Sequence, residues 1–197
     1  MPRRPDLPSF TRALTATSLL VAGFGLSGCH THPARPIDPR ALAGTRHFQL
    51  YTVYWAGRKF EGFQLTAADR PADYEPALGM RVYYGDCIHH QGITSGGCTL
   101  PLEVNTVLYR PHSNDGLGDQ RAATIRGVPA VVYEHGKSIE LYTGCLTIDV
   151  FADNPGRALR AAKAVRPLNP SPAAGPELPP PLYPPGDSRF KGGPCGL

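Results

Sequence analysis

Cys87 and Cys98 bracket His89 and His90 in the stretch DCIHHQGITSGGC, residues 86–98. Thiolate sulfur and imidazole nitrogen are the donors of zinc and copper sites, so metal binding is one chemistry this stretch can support. Oxidation is the other, because two thiols flanking a glycine-containing loop can close as a disulfide. The two compete, since a sulfur held in a disulfide no longer ligates. Spacing weighs against metal: adjacent histidines in an extended chain point to opposite faces. What decides between them is the redox compartment.

The N-terminus points to export. It reads MPRRPDLPSFTRALTATSLLVAGFGLSGCH, with Arg3, Arg4 and Arg12 as a positive leader and an apolar run from Ala13 to Leu26. That run is short for a bilayer span, which needs about 20 apolar residues. It has the charged leader and apolar core of a secretory signal. Its end, Leu26-Ser27-Gly28-Cys29, resembles the lipobox of bacterial lipoproteins. The resemblance implies cleavage before Cys29, a diacylglycerol on the Cys29 thiol and an acylated amine. It also implies a chain held at the cell membrane on the extracytoplasmic face, with the lipid as anchor; each buried methylene contributes about 0.8 kcal/mol. Arg3-Arg4 is a faint twin-arginine signal without the Phe-Leu pair that should follow.

With Cys29 lipidated, four cysteines remain: Cys87, Cys98, Cys145 and Cys195. An even number in an exported domain argues for two disulfides, and three pairings are open to the sequence. Cys87 follows one strand-like run and Cys98 precedes another, so an antiparallel hairpin brings them together. Closing a loop of this length stabilises by about 3 kcal/mol. Cys145 and Cys195 then pair by elimination, pulling the C-terminal tail back across the sheet. On this reading His89 and His90 face solvent on a stapled hairpin.

Other candidate chemistry is weaker. His30 and His32 form a His-X-His near the mature N-terminus, but a copper clip there needs the free amine that acylation removes. SNDGLGD, residues 113–119, lacks the terminal glutamate and the ligand alternation of a calcium loop. In GITSG, residues 92–96, the serine sits one place late for a nucleophile elbow. No phosphate-binding glycine loop, zinc-protease helix or dinucleotide fingerprint is present. Glu140 and Asp149 alternate with apolar neighbours in strand-like runs, and a carboxylate pair across a sheet face suits acid–base work as well as a solvated face. No cofactor is called for. The leader takes three arginines and one aspartate, leaving the remainder at +2 of the formal +4, with no block of like charge that would suit nucleic acid.

The elements that must position these residues follow from pattern. Residues 1–28 form the signal and 29–46 a proline-containing tether. Residues 47–166 form the domain, and 167–197 a proline-rich tail pinned by its terminal cysteine. Strands are expected at Phe48–Trp55, Phe63–Thr66, Met80–Tyr84, Leu102–Tyr109, Thr124–Tyr133, Ser138–Tyr142 and Leu146–Phe151. Pro129 inside the fifth marks an edge strand or a bulge. EHGK, residues 134–137, suits a hairpin turn. Asn154 can cap a helix with Pro155 in its first position and Pro167 beyond its end. Ala158, Leu159, Ala162 and Val165 should line its apolar face, with Arg157, Arg160, Lys163 and Arg166 on a solvated one. The tail holds nine prolines in the twenty-one residues from Pro167 and favours extended polyproline II. The expected class is α+β: a mainly antiparallel sheet of five to seven strands, one C-terminal helix and the tail.

The body of the domain resembles small envelope lipoproteins of actinobacterial type, through the YW strand, the YGDC to GGC segment, RGVPA and the closing strand–helix. That resemblance implies no particular activity. The function expected is a non-catalytic, membrane-anchored envelope module that binds a small ligand or an envelope protein. Tyr51, Tyr54, Trp55, Tyr83 and Tyr84 are the aromatic candidates for its interface. Two alternatives stand beside it: an envelope hydrolase using a carboxylate or histidine of residues 86–98, and a periplasmic metal-binding protein using His89 and His90.

Overall fold

The computed structural model describes residues 35–75, 78–86, 88–89, 98–109, 119–169 and 178–183. Within them the chain runs α1 (Pro39–Arg46), β1 (Tyr54–Trp55), β2 (Lys59–Phe60), β3 (Phe63–Ala68), β4 (Met80–Tyr84), β5 (Ile88–His89), β6 (Cys98–Thr99) and β7 (Leu102–Leu108). It continues through β8 (Arg121–Ile125), β9 (Val128–Tyr133), β10 (Ser138–Thr143), β11 (Leu146–Ala152), α2 (Pro155–Ala164) and β12 (Arg166–Pro167). The class is α+β with a mainly antiparallel sheet. Its main sheet has eight strands in the order β2-β3-β4-β7-β11-β10-β9-β8, and two small ribbons, β1–β12 and β5–β6, accompany it.

Alternation along the strands makes one face of the sheet the core. Val82, Val104, Val150, Ile139 and Val132 stand in one row across β4, β7, β11, β10 and β9. Met80, Ile148, Leu141 and Ala130 share a parallel row with Thr106, and all these side chains are buried. Burying each large one stabilises by about 1.5–3 kcal/mol. Helix α2 covers this face with Ala158, Ala161 and Ala162, whose small side chains let it approach β10 and β11 closely. It opens on Asn154, whose side chain accepts the Arg157 amide at 2.9 Å, with Pro155 next. Among the described residues no helix is long and apolar enough to cross a membrane.

Several expectations are corrected here. The span 29–46 is not all tether: Asp38 caps α1 by accepting the Arg40 amide at 2.7 Å, and Leu42 and Thr45 are buried. Ile37 donates its amide to the Leu65 carbonyl, so the domain begins before residue 47. Of Phe48–Trp55 only Tyr54–Trp55 is strand. The remainder is held by Asn169, whose Oδ1 accepts the Val53 amide while its Nδ2 donates to the carbonyls of Phe48 and Tyr51. Thr124–Tyr133 is two strands, because Arg126 and Gly127 both take positive φ and turn the chain between β8 and β9. β9 is therefore not an edge. The β9–β10 ladder ends at Ala130–Leu141, one residue short of Pro129, so no rung needs the N–H that proline lacks.

Burial also corrects two side-chain assignments. On α2 it is Ala161, not Leu159, that is buried; Leu159 is 40% exposed. Tyr54 and Tyr84 are core residues and not interface residues, and Trp55 is buried to all but 6%. Tyr84 explains itself: its hydroxyl accepts the Ala56 amide and donates to the Gly57 carbonyl, locking the segment after β1 onto β4. Tyr51 and Tyr83 remain half-buried.

Candidate ligand-binding face

The second face of the main sheet is polar. Glu140, Asp149, Asn105 and Arg81 form one cross-strand row over β10, β11, β7 and β4. Their alternation with Ile139, Val150, Val104 and Val82 turns them away from the apolar core. Two tyrosines hold Glu140: the Tyr142 hydroxyl donates to its Oε2 at 2.6 Å and the Tyr133 hydroxyl to the same oxygen at 3.0 Å. Burial raises the pKa of both hydroxyls, and the neighbouring carboxylate adds to it. Asp149, itself buried, accepts from Asn105 Nδ2 at 3.4 Å. Carboxylates directly opposite one another repel. The donors on either side of this pair offset that repulsion.

The row continues toward β3. Arg81 Nε donates to Asp69 Oδ2 at 2.9 Å, and the Tyr83 hydroxyl donates to Asp69 Oδ1 at 3.4 Å. Thr147 Oγ1, Asn105 Oδ1 and the Tyr109 hydroxyl are buried on or beside this face and find no partner among the described residues. Leaving a buried polar atom unmatched costs about 1–3 kcal/mol.

Two residues along, the same face opens into a cavity of about 500 Å3 lined by Thr99, Leu100, Glu103, Glu134, Lys137, Phe151 and Ala152. Its parts come from separate elements. Glu103 on β7 and Phe151 on β11 are cross-strand partners, and Glu134 and Lys137 belong to the turn between β9 and β10. That turn holds His135 and Gly136 at positive φ. Phe151 is 37% exposed, which leaves an aromatic surface in the cavity wall. Burial raises the Glu103 pKa; the Arg81 charge lowers it and Asp69 raises it. Glu103 is thus an acid that keeps its proton to higher pH than an ordinary glutamate, beside an apolar wall and a lysine. Cavities of this size with a few convergent polar groups are typical of small-ligand sites.

Most of the residues singled out for chemistry in the sequence lie outside the described ones: Cys29 with its lipobox, His30, His32, Cys87, His90, residues 113–118 and Cys195, together with the side chains of His89 and Cys98. The β5–β6 ribbon sets His89 opposite Cys98 and Ile88 opposite Thr99. Cys145 is exposed in the turn between β10 and β11 and is disulfide-bonded. Beside it the proline-rich tail returns to the sheet. Gly144 donates to the Pro180 carbonyl, the Leu182 amide donates to the Tyr142 carbonyl, and the Thr143 hydroxyl donates to the Pro179 carbonyl at 2.5 Å.

Glu140 and Asp149, read from the sequence as a possible pair, do stand opposite each other. Glu103, Asn105, Lys137, Phe151, Tyr133 and Tyr142 were not singled out. Their signal was present in LEVNTVL, where Glu103 and Asn105 alternate with Leu102, Val104 and Thr106. Among the described residues no three histidine, cysteine, aspartate or glutamate side chains converge as a metal site. No protein-family model, curated protein or solved structure matches the chain.

Proposed function

We propose that this chain is an exported lipoprotein, anchored through Cys29 to the extracytoplasmic face of the cell membrane, and that it works as a binding module through the polar face of its sheet. The observation that carries the binding role is the cavity at Glu103 and Phe151. It combines an aromatic wall with two carboxylates and one lysine, which suits a small ligand carrying an amine on an apolar body. The disulfide at Cys145 supports residence in an oxidising compartment. The return of the tail beside Cys145 supports its pairing with Cys195. The histidine loop then belongs to a hairpin closed by Cys87 and Cys98.

The test of the binding role is a titration with phenethylamine, a minimal amine on an aromatic body, followed through backbone amide shifts. Saturable shifts confined to Thr99, Glu103, Lys137, Phe151 and their neighbours, lost in Glu103→Gln, support the role. Shifts spread evenly over the surface, or none, overturn it. The raised Glu103 pKa also favours a second reading, a hydrolase with Glu103 as general acid. In that case Glu103→Gln abolishes turnover while ligand binding persists.

A further inference from the structure

We infer that Arg46, Arg166 and Trp55 form a binding site for a phosphate-bearing anion, separate from the polar face of the main sheet. Trp55 on β1 is the cross-strand partner of Arg166 on β12, and the Arg166 guanidinium lies 5.7 Å from the Trp55 ring centroid. The Arg46 guanidinium, from the last turn of α1, lies at the same 5.7 Å from the same ring. One indole thus carries two cations. Both arginines are exposed, and neither has a carboxylate partner among the described residues.

Two further observations bear on the site. Trp55 is only 6% exposed, and among the described residues its Nε1 has no hydrogen-bond acceptor. Backbone shape also makes room for the guanidinium: a Cβ at Gly57, where φ is +98°, would lie 2.8 Å from Arg166 Nη2. The positive φ by itself favours glycine at this position. A cation on an aromatic face gains about 0.5–1 kcal/mol at exposed sites, but two like charges around one ring repel. An oxyanion reverses that term. It accepts from both guanidinium forks, which suit phosphate geometry.

Such a phosphate has two sources, a lipid headgroup or a soluble anion. If Cys29 is lipidated, the anchor holds the chain at a surface of such headgroups. The site itself depends neither on that anchor nor on the Glu103 cavity.

Trp55 is the chain's only tryptophan, so its fluorescence reports this site alone. The full chain is kept in neutral detergent and titrated with inorganic phosphate. In a second arm it is transferred to vesicles containing phosphatidylglycerol. A saturable change in Trp55 emission with phosphate, weakened at least tenfold in Arg46→Gln, partly kept in Arg46→Lys and unaffected in Lys163→Gln, supports the site. A change in phosphatidylglycerol vesicles with the same dependence on Arg46 assigns the headgroup as source; a change with phosphate only assigns a soluble ligand. No saturable change in either arm, or one equal in Arg46→Gln, overturns the site. Because the phosphate arm requires no lipid on Cys29, its failure is distinct from a failure of the lipoprotein reading.

Discussion

Glu140 and Asp149 stand directly opposite each other across β10 and β11, on the face of the sheet turned away from the core. Both tyrosine donors to Glu140 meet the same carboxylate oxygen. Removing one leaves the other in place. Tyr142→Phe should destabilise by about 1.5–3 kcal/mol, the range for a hydrogen bond to a charged group. Adding Tyr133→Phe should cost more than its single-variant value, because the remaining donor then disappears. Urea denaturation of the two single variants and the double variant checks this.

Asn169 closes the other side of the molecule. Its carboxamide makes three bonds to the backbone of residues 48–53, with the Val53 amide at 2.6 Å. Asn169→Ala leaves three backbone groups unmatched, two of them in buried bonds, and should destabilise by about 3 kcal/mol or more. Amide exchange should rise first at Val53, ahead of the β7–β11 ladder. Equal exchange along both would contradict a local latch.

Alkaline pH should unfold the protein. Burial raises the hydroxyl pKa of Tyr51, Tyr84, Tyr109, Tyr133 and Tyr142, and pushes Tyr54 and Tyr83 up to about 12. A folded-state pKa above the unfolded value gives stability that is full below pH 10 and lost as pH rises through the folded value. Unfolding free energy should therefore fall from about pH 10 upward. Ultraviolet titration should show most tyrosines ionising together with unfolding and not near pH 10.

Glu103 carries the same sign at acid pH. Its raised pKa means that its contribution is full below the ordinary glutamate value of 4.5 and is lost as pH rises past the folded value. Glu103→Gln should therefore stabilise the protein at neutral pH and flatten the pH dependence above 4.5. Thermal melts at pH 4 and pH 7 read this directly.

At the β8–β9 turn the prediction is purely conformational. Gly127 has φ of +80°, and a Cβ there would meet nothing within 4 Å. Gly127→Ala should cost about 1 kcal/mol from backbone strain alone.

The strands that alternate cleanly were legible, and β4 runs from Met80 to Tyr84 as its pattern indicates. What failed was punctuation. The chain from Thr124 to Tyr133 has strand composition throughout, so the turn rests on Arg126-Gly127, a dipeptide with only one obvious positive-φ residue. Helix α1 opens on Asp38-Pro39 just as α2 opens on Asn154-Pro155. Its sequence carries no periodic stripe, because Leu42 is its one large buried apolar side chain. The cavity was out of reach for another reason. Glu103, Lys137 and Phe151 meet only because β7 inserts beside β11, and strand order is not written in local pattern.

The most direct test of the account is peptide mass spectrometry of the full chain, isolated from cell membranes without reductant. The expected result is an N-terminal peptide beginning at Cys29 and carrying a diacylglycerol and an acyl chain, together with two cross-linked peptide pairs, Cys87 with Cys98 and Cys145 with Cys195. A chain that keeps Met1, or an unmodified Cys29 with free thiols at Cys87 and Cys98, would contradict it.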